Sequence, residues 1–224
     1  MKARVQTDIA LLVVVIILTA IFYLSPQFHT KNFLFDIVLD FFGFVSILKG
    51  TALRMVARGH KKAYSQKSQS LVTTGIYALI RNPMYLGTLM IGMGFVLILW
   101  PWWAVPFFVV VFYLRFKRQM AKEERFLLQT FGTSYEQYCA QTPRLFPSFK
   151  TMFKLRVRDM VHLKETFSTK ERWGLISWPL LAFILASAQK KIMYGYVDFH
   201  SLGRVLATAF ITFMAGFILK YWLR

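Results

Sequence analysis

Long apolar runs are the feature that most restricts what this chain can fold into. Apolar residues make up 56% of its 224 positions and aromatic residues 17%, more than the core of a water-soluble protein of this length needs. Six runs approach the roughly 17 to 25 residues that cross the hydrocarbon core of a bilayer. They lie at about 9–24, 33–53, 84–100, 104–116, 174–188 and 202–222. The sequence therefore predicts an all-α, polytopic transmembrane helix bundle of about six spans.

The first run has the basic start of a signal peptide, because Lys2 and Arg4 precede it. Residues Ser25-Pro26-Gln27, however, offer no small-x-small cleavage site after it. We therefore expect the run to remain in the protein as a signal anchor.

Basic residues are distributed unevenly around these runs. If the N-terminus is cytoplasmic, about 24 of the 28 Lys and Arg residues fall on the inner side, as the positive-inside rule requires. The four outer ones are Lys31, Lys190, Lys191 and Arg204. The pattern predicts cytoplasmic N- and C-termini, and it explains the net charge of +18 without nucleic acid. Anionic lipid headgroups are the expected counter-charge.

Cysteine and histidine usage gives no indication of a metal site. Cys139 is the only cysteine, which excludes an internal disulfide and a cysteine-based cluster, and on its own does not indicate a nucleophile. No histidine has a second ligand at i, i+4 helical spacing, so we predict no protein-bound metal. The four histidines are His29, His60, His162 and His200.

The polar segments between the runs also have predicted structures. Trp100-Pro101-Trp102-Trp103 should separate the third and fourth spans, and 66–70 should form a mobile loop. No Gly or Pro follows the fourth span before Gly132, so its helix should continue into the cytoplasm and carry Glu123 and Glu124 with it. Residues 150–172 alternate bulky apolar and basic residues, which is typical of an amphipathic helix in the headgroup plane.

A first dense patch of turn-forming and hydrogen-bonding residues lies at 71–87, next to the third span. Pro83 at the first helical position with Asn82 as its N-cap would explain part of the pattern. The positive end of that helix would also favour an anionic group. The patch contains Gly75, Tyr77, Arg81, Asn82, Pro83, Tyr85 and Gly87.

A second patch begins at the adjacent acids of the extended fourth helix. On spacing alone, Glu123 and Glu124 are more often solvated charges that Lys122 and Arg125 partly neutralise. Aromatic, glycine and proline residues follow at regular intervals. The patch comprises Glu123, Glu124, Phe131, Gly132, Tyr135, Tyr138, Pro143, Arg144 and Pro147.

Together, the two patches resemble the signature of the isoprenylcysteine carboxyl methyltransferase and phospholipid methyltransferase superfamily, in order and in spacing, over 71–149. The resemblance implies an S-adenosyl-L-methionine-dependent enzyme that methylates a lipophilic or lipid-linked acceptor at the cytoplasmic membrane face: an isoprenylcysteine carboxylate, a phospholipid amine or a small thiol. It implies a methyltransferase core at 1–149, with 150–224 adding the amphipathic segment and two further spans.

The resemblance also implies the roles of individual residues. Glu124 and Arg144 would lie nearest the chemistry, with Glu124 the more probable of the acidic pair to bind the cofactor. Tyr135, Tyr138 and Arg144 would close the site. The implied cofactor-binding residues are Tyr77, Arg81, Asn82, Pro83, Tyr85, Gly87, Glu123, Glu124, Tyr135 and Tyr138.

The chain departs from the family pattern at two places. Asn82 stands where relatives often carry His, and an amide cannot act as a general base near neutral pH. The part after 149 has no counterpart in the minimal family core, so it either binds a substrate or partner or completes the bundle. Gly87, Gly92 and Gly94 either permit close helix approach or leave room for a lipid tail.

Two other functions fit the chain less well. Sterol reductases, which use a nicotinamide cofactor, look similar over this region but favour Asn at Met84 and an acid at Thr88. A non-catalytic membrane scaffold would bind no cofactor. Asp36 and Asp40, one turn apart in the second span, are expected to pair with Lys31 or Arg204, or else to serve the substrate.

Overall fold

The computed structural model describes residues 13–22, 25, 28, 32–65, 70–147 and 162–222. Its regular elements in this part of the chain are all helical, which confirms the predicted all-α class. The helices are α1 (13–22), α2 (Phe33–Ser65), α3 (Ile76–Leu79), α4 (Pro83–Leu99), α5 (Ala104–Phe131), α6 (Thr133–Gln141), α7 (Leu163–Phe167), a 3-10 helix (Lys170–Trp173), α8 (Gly174–Tyr194) and α9 (Phe199–Trp222).

The closest packing in the fold is between α2 and α4, and two glycine pairs permit it. A Cβ atom on Gly50 would lie 2.6 Å from the carbonyl oxygen of Gly87, and one on Gly94 would lie 2.5 Å from that of Gly43. The two pairs are seven residues apart on each helix and run in opposite order, so α2 and α4 are antiparallel. Close helix approach, one of the two predicted roles of Gly87 and Gly94, is therefore confirmed.

The break before α5 and the length of α5 were both predicted correctly. Helix α4 ends at Leu99 and α5 begins at Ala104, so the Trp-Pro-Trp-Trp stretch separates them. Helix α5 then continues for 28 residues to Phe131, where Gly132 takes a positive φ of 51°. An uninterrupted helix of this length spans about 40 Å, and it carries the acidic pair to the same end of the bundle as the start of α4.

Helices α8 and α9 complete the core. Ala182 and Ala186 of α8 and Leu202 of α9 are almost fully buried against Phe44 of α2 and Ile98 of α4. Residues 174–222 therefore pack as part of the bundle, which is one of the two roles considered for the C-terminal part of the chain.

The two acids of α2 have partners on α8. Asp40 forms an ion pair with Lys190, with 2.7 Å between Oδ2 and Nζ, and Asp36 accepts a hydrogen bond from the Tyr194 hydroxyl. The predicted structural pairing is confirmed. Of the two expected partners, Arg204 was wrong and Lys31 lies outside the described residues. Lys190 lies on α8, and α8 packs against α2. The hydropathy pattern predicts both helices but does not predict which helices pack together.

The helices lie where the apolar runs predict them, although α2 extends beyond the predicted 33–53. In the described part of the chain, none of the helices combines the length and the apolar character that crossing a bilayer requires. The predicted loop at 66–70, apart from residue 70, and most of the amphipathic segment at 150–172 lie outside the described residues. So do residues 9–12 and 23–24, the two ends of the predicted anchor.

Candidate active site

A cavity of about 760 Å³ lies where the two sequence patches meet. Its walls come from the C-terminal part of α2, the segment that leads into α4, the second half of α5, and α6. The volume is within the range of about 300 to 1,000 Å³ that is typical of small-molecule and cofactor sites. The structure thus brings together two patches that are about 40 residues apart in the sequence.

Nine of the predicted site residues line this cavity, and two do not. Gly87 faces α2, where an added Cβ atom would lie 2.6 Å from Cγ of Arg54, so its contribution is helix packing. Arg144 lies behind Glu124 and contacts it directly. The nine that line the cavity are Tyr77, Arg81, Asn82, Pro83, Tyr85, Glu123, Glu124, Tyr135 and Tyr138.

The Glu124 carboxylate is the centre of a charged network. Its Oε2 lies 2.8 Å from an Arg144 guanidinium nitrogen, and its Oε1 accepts hydrogen bonds from Arg144 Nε at 3.2 Å and Asn82 Nδ2 at 3.1 Å. Arg81 approaches the same Oε1 to 3.5 Å. The carboxylate is only 17% exposed, so these contacts are screened less than those of a surface ion pair. Of the two adjacent acids, Glu124 is therefore the one that organises the site.

Backbone hydrogen bonds hold the two patches in register. The Arg81 amide donates to the Pro143 carbonyl at 2.9 Å, and the Asn82 amide donates to the Arg144 carbonyl at 3.2 Å. This short ladder ties the turn before α4 to the segment after α6. The first patch and the Pro143-Arg144 part of the second patch are therefore held together by the backbone.

Asn82 does not cap α4 through its side chain, which corrects the predicted capping role. Its backbone carbonyl accepts from the amides of Tyr85 and Leu86, but the side-chain amide donates to Glu124 and to the Arg144 carbonyl instead. Pro83 does occupy the first helical turn, as predicted. A charged acceptor on α5 gives a stronger hydrogen bond than a neutral backbone group, so the tertiary contact prevails.

Glu123 points to a separate set of partners. Its Oε1 accepts from the Tyr85 hydroxyl at 2.8 Å and from the Gln119 side chain at 2.7 Å. Both donors are neutral, whereas Glu124 is paired with arginines. The two adjacent carboxylates therefore differ in their electrostatic environment.

Arg81 connects the network to α6. Its NH1 atom lies 2.8 Å from the Cys139 sulfur, and its Nε atom is buried with no hydrogen-bond partner among the described residues. Burial lowers the pKa of the Arg81 guanidinium, but Glu124 and Cys139 outweigh that effect and raise it above its usual value. Arg81 is thus a fixed cation at the cavity wall, and its buried Nε has no hydrogen-bond partner among the described residues.

Three tyrosines form a buried wall of the cavity. The Tyr138 hydroxyl donates to the Tyr77 carbonyl at 2.7 Å, and the Tyr77 hydroxyl donates to the Ala57 carbonyl at 3.3 Å. Burial raises the pKa of Tyr77 to about 12, and it also raises the pKa of Tyr135 and of Tyr138. The phenols therefore stay neutral donors at physiological pH and do not act as general bases there.

Several cavity residues were missed by sequence reasoning. Phe126, Leu127 and Thr130 follow Glu123 at spacings of three, four and seven, which is one face of α5, and this helical period could have identified them. Arg58 and Lys61 of α2 also line the cavity. In the sequence these two residues count only among the Lys and Arg residues of the inner side, because nothing local distinguishes them from other exposed cations.

Comparison with known proteins shows which family this chain resembles. The family model described as phospholipid methyltransferase matches residues 37–134, from α2 to the start of α6. This confirms the resemblance to the isoprenylcysteine carboxyl methyltransferase and phospholipid methyltransferase superfamily. The match begins before the signature at 71–149 and ends before Arg144.

The curated relatives that this chain matches share the name protein-S-isoprenylcysteine O-methyltransferase. The chain is 29% identical over 123 residues to the protein-S-isoprenylcysteine O-methyltransferase of Schizosaccharomyces pombe, covering 52% of each chain. It is 32% identical to protein-S-isoprenylcysteine O-methyltransferase B of Arabidopsis thaliana (47% of this chain, 58% of the relative) and 35% identical to form A (43% and 53%). The chain thus spans about half the length of the curated relatives it matches. No solved structure gives a significant match.

Proposed function

We propose that this protein is an S-adenosyl-L-methionine-dependent methyltransferase that methylates the carboxylate of an isoprenylated cysteine. The observation that carries the proposal is the cavity in which Arg81, Asn82 and Glu124 meet, because all three lie in the two patches that resemble the superfamily signature. The proposal assigns the catalytic core to 1–149, with the cofactor-binding signature at 71–149. Residues 150–224 add to this core.

The residues of the cavity fit the cofactor. Its methionyl carboxylate needs a cationic group, and Arg81 lines the cavity with an Nε atom that has no partner in the described part of the chain. Its ribose hydroxyls need acceptors, which Glu123 and Glu124 offer, and its adenine needs an apolar surface such as that of Phe126 and Tyr135. When bound, the cofactor supplies a methyl group already activated by the sulfonium charge, so no metal is needed.

The protein's own residues then position the reacting groups and exclude water from them. Glu124 holds the Arg81 and Arg144 guanidinium groups in place, and the neutral Tyr138 phenol fixes the wall next to them. Holding a nucleophile in line with the group it attacks can reduce a barrier by about 7 to 11 kcal/mol. Asn82, where relatives often carry His, orients Glu124 and does not take a proton.

The charge of the cavity favours a carboxylate acceptor over an amine. Arg58 and Lys61 add two cations to its wall, and both side chains are exposed enough to meet an entering group. A carboxylate forms charge-assisted hydrogen bonds with such groups, whereas a phospholipid amine is repelled in its protonated form. The name of the relatives specifies an isoprenylcysteine as the acceptor and an oxygen as the methylated atom, which a carboxylate offers and an amine does not.

The proposal includes a location in a membrane with several passes, which the surface of the bundle supports. It also includes an active site on the cytoplasmic side, which rests on the uneven distribution of Lys and Arg residues along the chain. Phe107, Val110 and Val111 of α5 and Leu180 and Ile184 of α8 are each more than half exposed. Apolar side chains massed in this way avoid water best in contact with lipid acyl chains.

Extraction of isolated membranes with alkaline carbonate is expected to leave the protein in the pellet; release into the supernatant would contradict a multi-pass location.

Methyl transfer to defined acceptors tests the activity. Protein purified in detergent is incubated with S-adenosyl-L-methionine labelled in its methyl group and with an S-farnesylated cysteine derivative that has a free carboxylate. We expect label in a base-labile methyl ester of that acceptor. The matched controls are the same derivative with its carboxylate amidated and a phosphatidylethanolamine. Label in the phosphatidylethanolamine alone would replace the proposed acceptor with a phospholipid amine, and label in neither would reject both.

A further inference from the structure

A short segment from the C-terminal part of the chain lies along α2 beside the cavity. We call α7 and the 3-10 helix, Leu163–Trp173, the strap. Ser168 accepts a hydrogen bond from Lys62 at 3.1 Å. Thr166 packs closely on Gly59: a Cβ atom added to Gly59 would lie 2.6 Å from the Cα atom of Thr166. The strap is outside the residues that the family model matches, so its role is not assigned by that match.

Glu171 makes the strongest contacts of the strap. Its two carboxylate oxygens accept from Nε and NH2 of Arg54, each at 3.0 Å, and Oε1 lies 3.2 Å from NH1 of Arg58. Arg54 is fixed further by a hydrogen bond to the Thr88 hydroxyl of α4. The Glu171 side chain is only 14% exposed, so the solvent screens this group weakly.

Arg54 and Arg58 differ in the groups that their guanidinium nitrogens can contact. Arg54 is 25% exposed and directs three nitrogens to protein partners, so it serves as an anchor between α2, α4 and the strap. Arg58 is 50% exposed, lines the cavity and makes one contact with Glu171. Glu171 therefore holds one end of the Arg58 guanidinium, while the remaining donors can meet a group in the cavity.

From this geometry we propose that Glu171 is a positioning residue for acceptor binding: it fixes Arg58 at the cavity wall, where the guanidinium recognises the acceptor carboxylate. The inference rests on the proposed function. It gives the C-terminal part of the chain a role in substrate recognition, in addition to completing the bundle. Glu171 itself does not contact the substrate and takes no part in the methyl transfer.

The test compares KM for the acceptor in Glu171→Gln with KM in the wild-type protein. The amide keeps the size of the side chain but removes its charge, so Arg58 loses its fixed position. KM for the S-farnesylated cysteine derivative should rise about tenfold, the size expected for a charge-assisted contact. The kcat and the dissociation constant of S-adenosylhomocysteine should each change by less than about twofold. Glu171→Asp, which keeps the charge, should restore most of the loss.

A double-mutant cycle separates positioning from a general structural effect. In an Arg58→Ala background, the Glu171→Gln change should raise KM by less than about twofold, because the guanidinium that it positions is already absent. An undiminished tenfold effect in that background would overturn the proposal. The matched control is Glu165→Gln, which removes one negative charge from the same strap and is expected to leave KM unchanged.

The experiment also distinguishes failure of this inference from failure of the proposed function. If the wild-type protein binds S-adenosylhomocysteine and methylates the acceptor while Glu171→Gln leaves KM unchanged, the positioning role is wrong and the function stands. If the wild-type protein does neither, the proposed function fails and the inference fails with it.

Discussion

Replacement of Glu124 by Gln is expected to weaken S-adenosylhomocysteine binding by about 10- to 100-fold, or about 1.4 to 2.7 kcal/mol. The substitution leaves Arg81 and Arg144 without their shared counter-charge and removes a charged acceptor from Asn82. Removing one partner of a fully buried ion pair costs about 3 to 5 kcal/mol. The loss should be smaller here because these side chains are partly exposed. Isothermal titration calorimetry of the purified protein measures the change.

The neighbouring acid provides the matched control. Glu123→Gln removes the same charge one residue away, but the partners of Glu123 are the neutral Tyr85 and Gln119. Its effect on affinity should therefore be smaller, about threefold or less. Arg81→Ala should resemble Glu124→Gln, since it removes the buried Nε donor. Equal losses for the two glutamates, or unchanged affinity in both Glu124→Gln and Arg81→Ala, would contradict the assigned roles.

Replacement of Gly75 by Ala is expected to destabilise the fold by about 2 to 6 kcal/mol. Gly75 has a positive φ of 60°, and an added Cβ would lie 2.3 Å from Cε1 of the fully buried His60 ring. Strained backbone costs about 1 to 3 kcal/mol and overpacking about the same again. Because Gly75 begins the turn that leads to Tyr77 and Arg81, cofactor affinity should fall as well. Thermal unfolding in detergent measures the loss of stability.

Replacement of Gly132 by Ala separates backbone strain from overpacking as causes of the destabilisation. It also has a positive φ, 51°, but a Cβ atom there would meet no atom within 4 Å. Gly132→Ala should therefore show the backbone strain alone, and its melting temperature should fall about half as far as that of Gly75→Ala. Equal shifts would show that the contact with His60 carries no energetic cost.

Much of the fold was predictable because apolar runs and helix breakers report on local structure. The positions of α4 and α5 followed from the Trp-Pro-Trp-Trp break, and the extension of α5 followed from the absence of Gly and Pro before Gly132. Helix α6 was not predicted. It has nine residues of mixed character, and only the three-residue spacing of Tyr135 and Tyr138 indicates which face is buried.

The site was predictable as a set of residues but not as a geometry. The signature identified the residues around Glu124, while their contacts depend on packing: Asn82 prefers Glu124, 42 residues away, to the helix that it was expected to cap. The contact of Arg54 with Glu171 joins residues 117 positions apart, with no local pattern at either end. Long-range ion pairs of this kind arise only once the helices are packed, so the sequence did not predict them.

Titration of the wild-type protein with S-adenosylhomocysteine and with NADPH tests the central claim most directly. The protein in detergent is titrated separately with S-adenosylhomocysteine and with NADPH, and the heat of binding is recorded for each. Our account predicts saturable binding of S-adenosylhomocysteine at one site per chain and no binding of NADPH. Saturable binding of NADPH without binding of S-adenosylhomocysteine would contradict the account and favour a reductase.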